Sequence, residues 1–143
     1  MSAGTLPLVG ELAVVSHAGH ADARGLLCPI ELAKVLDFPV RRLFWVTRVP
    51  AGQERGGHAH KLCSQYLICL AGSIEVTATD GEDTAVLMLE PGQALLLKPG
   101  IWAAERYGSE EALLLVLCDQ AYDRDDYITE IDAFRSYRRG HAV

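Results

Sequence analysis

The sequence predicts an all-β sandwich or barrel with a short C-terminal helix. Three observations lead there. Turn formers recur at Gly72-Ser73, Asp80-Gly81, Pro91-Gly92, Pro99-Gly100 and Gly108-Ser109, eight to eleven residues apart. The segments between them are short and rich in apolar and β-branched residues, a composition that suits a pleated, half-buried surface. The chain has 143 residues and is 50% hydrophobic, enough for one domain with a sizeable core. No repeat, low-complexity tract or linker interrupts it, so residues 1–143 are read as a single domain.

In chain order, LVGELAVV (8–15) is the first strand candidate. CPIELAKVLD (28–37) is a short helix or an irregular strand. VRRLFWVTRV (40–49) and LCSQYLICLA (62–71) are further strands. IEVTAT (74–79), TAVLML (84–89), ALLLK (94–98), IWAAERY (101–107) and EALLLVLC (111–118) follow as a run of strands between turns. IDAFRSYRR (131–139) is the helix, with basic residues in its last turn where they complement the helix dipole. Arg138 and Arg139 are read as its solvated end.

Charge and cysteine content narrow the function. Thirteen basic against nineteen acidic residues give a net charge of −6, which excludes a globally basic nucleic-acid surface. No apolar run approaches the roughly 18 residues of a membrane helix, and no basic segment precedes a long apolar one near Met1. Neither a membrane partner nor a nucleic-acid partner is expected, and a cytoplasmic location is. Cys28, Cys63, Cys69 and Cys118 form no CxxC pair and are read as buried free thiols in a reducing compartment.

The strongest chemical signal is GQERGGHAHKLCSQYLICLAG, residues 52–72. On a strand, residues i and i+2 share a face, so His58 and His60 point the same way. Two imidazoles on one face, between Arg55-Gly56-Gly57 and Lys61, are hard to dismiss as a half-exposed polar stripe.

The spacing Gly52–His58–His60–Gly72 resembles the first signature of the cupin superfamily, whose acidic metal ligand is replaced here by Gln65. The second signature carries a third histidine, and KPGIWAAERY has none. With two imidazoles and an amide, no metal and no other cofactor is expected. The resemblance narrows with DARGLLCPIEL (22–32), RRLFWV (41–46), RGGHAHK (55–61), Gln65, AGSIEV (71–76), Trp102, YDRDDYI (122–128) and Phe134. This ordered set, over about residues 20–134, is similar to the nucleotide-sugar 3,4-ketoisomerases, the WxcM-like C-terminal domains.

The resemblance implies a cupin double-stranded β-helix (a jelly-roll barrel), a homodimer, and a dTDP-linked keto-deoxysugar as substrate. The implied reaction moves a ketone from C4 to C3 through an enediol, in deoxysugar or surface-glycan biosynthesis. It implies His58 as the base that shuttles the proton and His60 as the group that orients, relays or polarises. Arg42 and Arg55 are candidates for the diphosphate or the developing charge, since a guanidinium binds oxyanions bidentately. Lys61, Gln65 and Trp102 complete the candidate substrate contacts. Tyr122, Asp126 and Tyr127 are read as tying the C-terminal segment to the barrel. Phe44 and Trp45 stand where the family usually has tyrosines, and Ala103 where it often has His or Arg, a position linked to the C4 epimer. A metal-dependent cupin taking a third ligand from His17 or His20, and a non-catalytic nucleotide-sugar-binding cupin, are the alternatives. Sugar 3,5-epimerisation fits the motifs less well.

Overall fold

The computed structural model describes residues 5–141. A 3₁₀ turn at Val9–Glu11 leads to β1 (Val14–Ser16), then to the hairpin of β2 (His20–Asp22) and β3 (Gly25–Leu27), and to α1 (Leu32–Val35). β4 (Arg42–Val46), β5 (Glu54–His60), β6 (Gln65–Ala71), β7 (Ile74–Thr79), β8 (Thr84–Leu89), β9 (Gln93–Leu97), β10 (Trp102–Tyr107) and β11 (Leu113–Cys118) follow. A second 3₁₀ turn at Arg124–Asp126 precedes β12 (Tyr127–Ile128) and α2 (Ile131–Gly140). Two five-stranded antiparallel sheets, β1-β9-β6-β11-β4 and β12-β5-β10-β7-β8, form the jelly roll.

Alternation drives the packing. Ile74, Val76 and Ala78 of β7, Leu67 and Cys69 of β6, Leu95 and Leu97 of β9, and Leu114 and Val116 of β11 fill the space between the sheets. The same period of two carries Gln65 and Cys118 inward at the other end of β6 and β11, where they face each other across the ladder. One end of the barrel is therefore dry, and the other is lined by polar groups.

The outer face of the second sheet is covered by α2. Phe134 is fully buried there against Ala59 and Ile128, with Trp102, Ile131 and Tyr137 packed around it. Arg138 is no solvated helix end: its guanidinium donates to the carbonyls of Pro7 (2.8 Å) and Gly100 (2.9 Å), fastening α2 to two loops. Arg139 remains exposed.

The strand expected over 8–15 is split. The Val9 amide donates to Asp80 Oδ2 at 2.9 Å and the Glu11 amide to the Leu8 carbonyl at 3.0 Å. Those bonds hold the backbone in a turn, and pairing with β9 begins only at Val14. Of segment 28–37, only one turn, α1, is helical. All four cysteines are unpaired; Cys63, Cys69 and Cys118 are buried, whereas Cys28 is exposed, following a hairpin whose residues are themselves all exposed.

Candidate active site

The polar end of the barrel holds a cavity of about 310 Å³ lined by Arg55, His58, Gln65, Glu105, Tyr107 and Tyr127. A narrow continuation runs past His58 to His60, Cys63 and Ala103.

How Arg55 and His58 come to share one wall is a matter of register. Strict alternation would place an odd and an even residue of β5 on opposite faces. The pairing of β10 with β5 slips, so that Ala103 faces His58, Ala104 faces Gly56, and Glu105 faces Arg55. The extra residue is a bulge at Gly56-Gly57, both with left-handed backbone (φ 84° and 75°). Glycine takes that conformation without strain. A Cβ on Gly56 would also collide with the Glu105 carboxylate. The double glycine thus turns Arg55 into the cavity mouth.

His58 and His60 meet edge to face with ring centroids 5.1 Å apart. The Tyr127 ring packs on both, at 4.9 Å and 4.3 Å. Burial, with His60 beside it, lowers His58 to about 4, so its imidazole is neutral at pH 7. His60 is 6% exposed and its Nδ1 lies 2.8 Å from Asp126 Oδ2. With a carboxylate there, Nδ1 carries the proton and donates it. Nε2 is then a bare lone pair, and it is buried without a partner. Desolvation keeps His60 below the usual histidine range despite Asp126.

Asp126 does more than tie down the chain end. Its carboxylate also accepts from the backbone amides of Lys61 (3.1 Å), Leu62 (2.6 Å) and Cys63 (3.3 Å). Donor atoms of His60, Cys63 and Asp126 lie within 4.8 Å of one another. Both Asp126 oxygens are already committed to those four donors, so the trio is a hydrogen-bonded group. His17 is bonded to Tyr66 OH at 2.6 Å, and His20 sits in the exposed hairpin. Neither lines the cavity.

The remaining expected residues divide. Arg42 sits on the cavity side of β4, with Nη2 3.5 Å from Tyr127 OH and 3.7 Å from Cys118 Sγ. Gln65 is buried, but its amide points to Cys118 Sγ at 3.7 Å and not to the histidines. A hydrogen bond from Cys63, with Arg42 beside it, pulls the Cys118 thiol down. Lys61 is exposed and borders a neighbouring depression shared with Tyr122 and Tyr127. Trp102 lies outside the cavity. The alternation that turns Ala103, Glu105 and Tyr107 inward turns Trp102 outward, with its ring 5.7 Å from Phe134. Glu105 is the residue sequence reasoning missed. Burial pushes its carboxyl up to about 7, against the pull of Arg55.

The family described as "FdtA: WxcM-like, C-terminal" matches residues 11–139. The chain belongs to this family. It is similar to the TDP-4-oxo-6-deoxy-α-D-glucose-3,4-oxoisomerase of Aneurinibacillus thermoaerophilus, 33% identical over 125 residues that span 87% of this chain and 90% of the relative. Among solved structures it resembles QdtA, a sugar 3,4-ketoisomerase from Thermoanaerobacterium thermosaccharolyticum, in complex with TDP. The TM-score is 0.86 at 29% identity, covering 95% of this chain and 100% of that one. A histidine-to-asparagine mutant of QdtA holding TDP-4-keto-6-deoxyglucose superposes with a TM-score of 0.85 at 29% identity, over 93% and 97%. The cupin jelly roll expected from the two-histidine signature is thus the fold of this WxcM-like domain.

Proposed function

We propose that this WxcM-like domain is a 3,4-ketoisomerase acting on a dTDP-linked 4-keto-6-deoxy-hexose. The observation that carries the reading is the neutral His58 on the wall of a partly enclosed cavity, beside a His60 whose tautomer Asp126 fixes. Relatives with this activity support the substrate class.

The C3 proton is acidified by the neighbouring C4 ketone. His58 removes it, an enediol forms, and the proton returns at C4. The oxidation at C3 and reduction at C4 are internal, so the chain's own groups suffice. A neutral imidazole is already in the form a base requires. His60 Nε2 accepts a hydrogen bond from a sugar hydroxyl and holds the ring against His58. Arg55 on the cavity wall, with Arg42 behind it at Tyr127, binds the diphosphate, and Lys61 in the neighbouring depression contacts the nucleotide. Gln65, on the cavity wall with its amide toward Cys118 Sγ, is a sugar contact in this reading.

This reading needs no metal. Protein dialysed against a chelator is expected to turn over TDP-4-keto-6-deoxyglucose at the rate of untreated protein. Loss on chelation, restored by a divalent ion, would transfer the site to the metal-dependent cupin alternative.

A homodimer is part of the proposal. β4 ends its sheet with Leu43 and Trp45 exposed, and Leu26 and Leu27 stand exposed in the hairpin. Sheet edges and apolar patches of this kind are commonly covered by a second copy. Sedimentation at twice the chain mass is expected, and a monomer at micromolar concentration would rule it out. A cytoplasmic location is supported by four unpaired cysteines, one of them exposed.

A further inference from the structure

Moving a ketone between adjacent carbons requires two proton transfers at carbon and two at oxygen. The histidine that serves carbon leaves the two proton transfers at oxygen to another group. Phe44 and Trp45 supply no phenol, Ala103 opposite His58 supplies no proton, the Tyr127 hydroxyl is engaged by Arg42 Nη2 at 3.5 Å, and Tyr107 is held well above the usual tyrosine range by burial and by Glu105.

Glu105 stands on the same inner wall. It lies two residues along β10 from Ala103, the residue paired with His58, so its backbone is about 7 Å from that pair. Its carboxyl lies against the Gly56 backbone, between Arg55 and His58 in β5, and both stretches of the cavity that touch His58 also touch Glu105. Among the described residues no other side chain forms an ion pair with it. The charged and titratable groups that share its cavity are Arg55, His58 and His60 from β5, Cys63 after β5, Lys98 after β9, Tyr107 from β10 and Tyr127 from β12; Gln65 from β6 and Val76 from β7 add none. A carboxyl without an ion-pair partner, hydrogen-bonded only to its own backbone amide on the wall of a polar cavity, is set to exchange a proton with a ligand.

Resting on the ketoisomerase reading, we propose that Glu105 is a second catalytic acid–base that moves the oxygen-bound protons of the enediol. In the first half, His58 takes the C3 proton, the C–H electrons form the C3=C4 bond, and the C4 carbonyl oxygen takes a proton from the Glu105 carboxylic acid. In the second half, the Glu105 carboxylate takes the proton of the C3 hydroxyl. C3=O then forms, and the C3=C4 electrons take the proton from His58 at C4. Both residues end as they began, so no co-reactant is consumed.

This step starts from protonated Glu105 and neutral His58. With Glu105 pushed up to about 7 and His58 lowered to about 4, kcat/KM should rise through pH 4 and fall above pH 7.

The experiment compares wild type and Glu105→Gln in deuterated buffer with TDP-4-keto-6-deoxyglucose. TDP binding, measured by calorimetry, reports folding. An amide can still donate to the enediolate oxygen but cannot accept the C3 hydroxyl proton. Exchange at C3 should therefore fall less than about 10-fold while 3-keto product falls about 100-fold or more, with the fall above pH 7 abolished. Product within about threefold of wild type would overturn the assignment, and so would equal losses of exchange and product, which mark a positioning role. If Glu105→Gln does not bind TDP, the wild-type profile decides. A fall above pH 7 supports Glu105, and a flat profile from pH 6 to 9 overturns it. A wild type that leaves the keto-sugar untouched sinks the ketoisomerase reading itself, a result distinct from any of these.

Discussion

His58→Asn is expected to lower turnover by about 10²–10⁴-fold, the range that a positioned acid–base group contributes, while the barrel survives. The imidazole is half-buried and packs by its ring edges on His60 and Tyr127. It makes one backbone hydrogen bond, to Gly56. Asparagine keeps a planar polar group of similar reach but has no basic nitrogen. The melting temperature should therefore change little, and deuterium exchange at C3 should vanish. Parallel thermal melts and a turnover assay check both statements. An unchanged rate would remove His58 from the chemistry.

Asp126→Asn is expected to damage both stability and rate. One oxygen accepts from Lys61 and Leu62, the other from Cys63 and from His60 Nδ1. An amide must turn its NH₂ toward one of these sets, setting donor against donor. If it faces the backbone pair, the part-buried Leu62 amide loses its acceptor, while the Lys61 amide keeps the Asp126 backbone carbonyl at 3.0 Å. If it faces His60, the Cys63 amide loses its acceptor and the imidazole is driven to the other tautomer, closing the Nε2 lone pair. An unsatisfied donor costs about 1–3 kcal/mol, so a loss of roughly 1–3 kcal/mol is expected in urea unfolding. Turnover of the folded variant should drop about 100-fold. A variant with wild-type stability and rate would show that the contact is incidental.

The parts of this site that were legible in the sequence are those set by short spacing. His58 and His60 share a face because they are two apart on β5, and the turn formers bracket β7 to β11 closely. The strand over 8–15 failed because a distant group, Asp80, claims the Val9 amide. Trp102 was misplaced because a large aromatic suits either face of β10; only α2, laid over the outer face, decides which. Glu105 escaped for the converse reason, since a charged residue within a strand reads as solvent-facing. It faces inward by the same alternation as Ala103 and Tyr107, and the bulge at Gly56-Gly57 in β5 brings Arg55 opposite it. Asp126 lies 66 positions from His60, and only the pairing of β12 with β5 brings them together.

The central claim, that this cavity transposes a ketone, is tested most directly by NMR. TDP-4-keto-6-deoxyglucose generated in deuterated buffer is mixed with the wild-type protein, and positions C3 and C4 are followed. The account predicts loss of the C3 proton signal and growth of a 3-keto product bearing hydrogen or deuterium at C4. A 4-keto sugar that keeps its C3 proton and gives no product, in the presence of protein shown to bind TDP, would contradict it and leave a nucleotide-sugar-binding module.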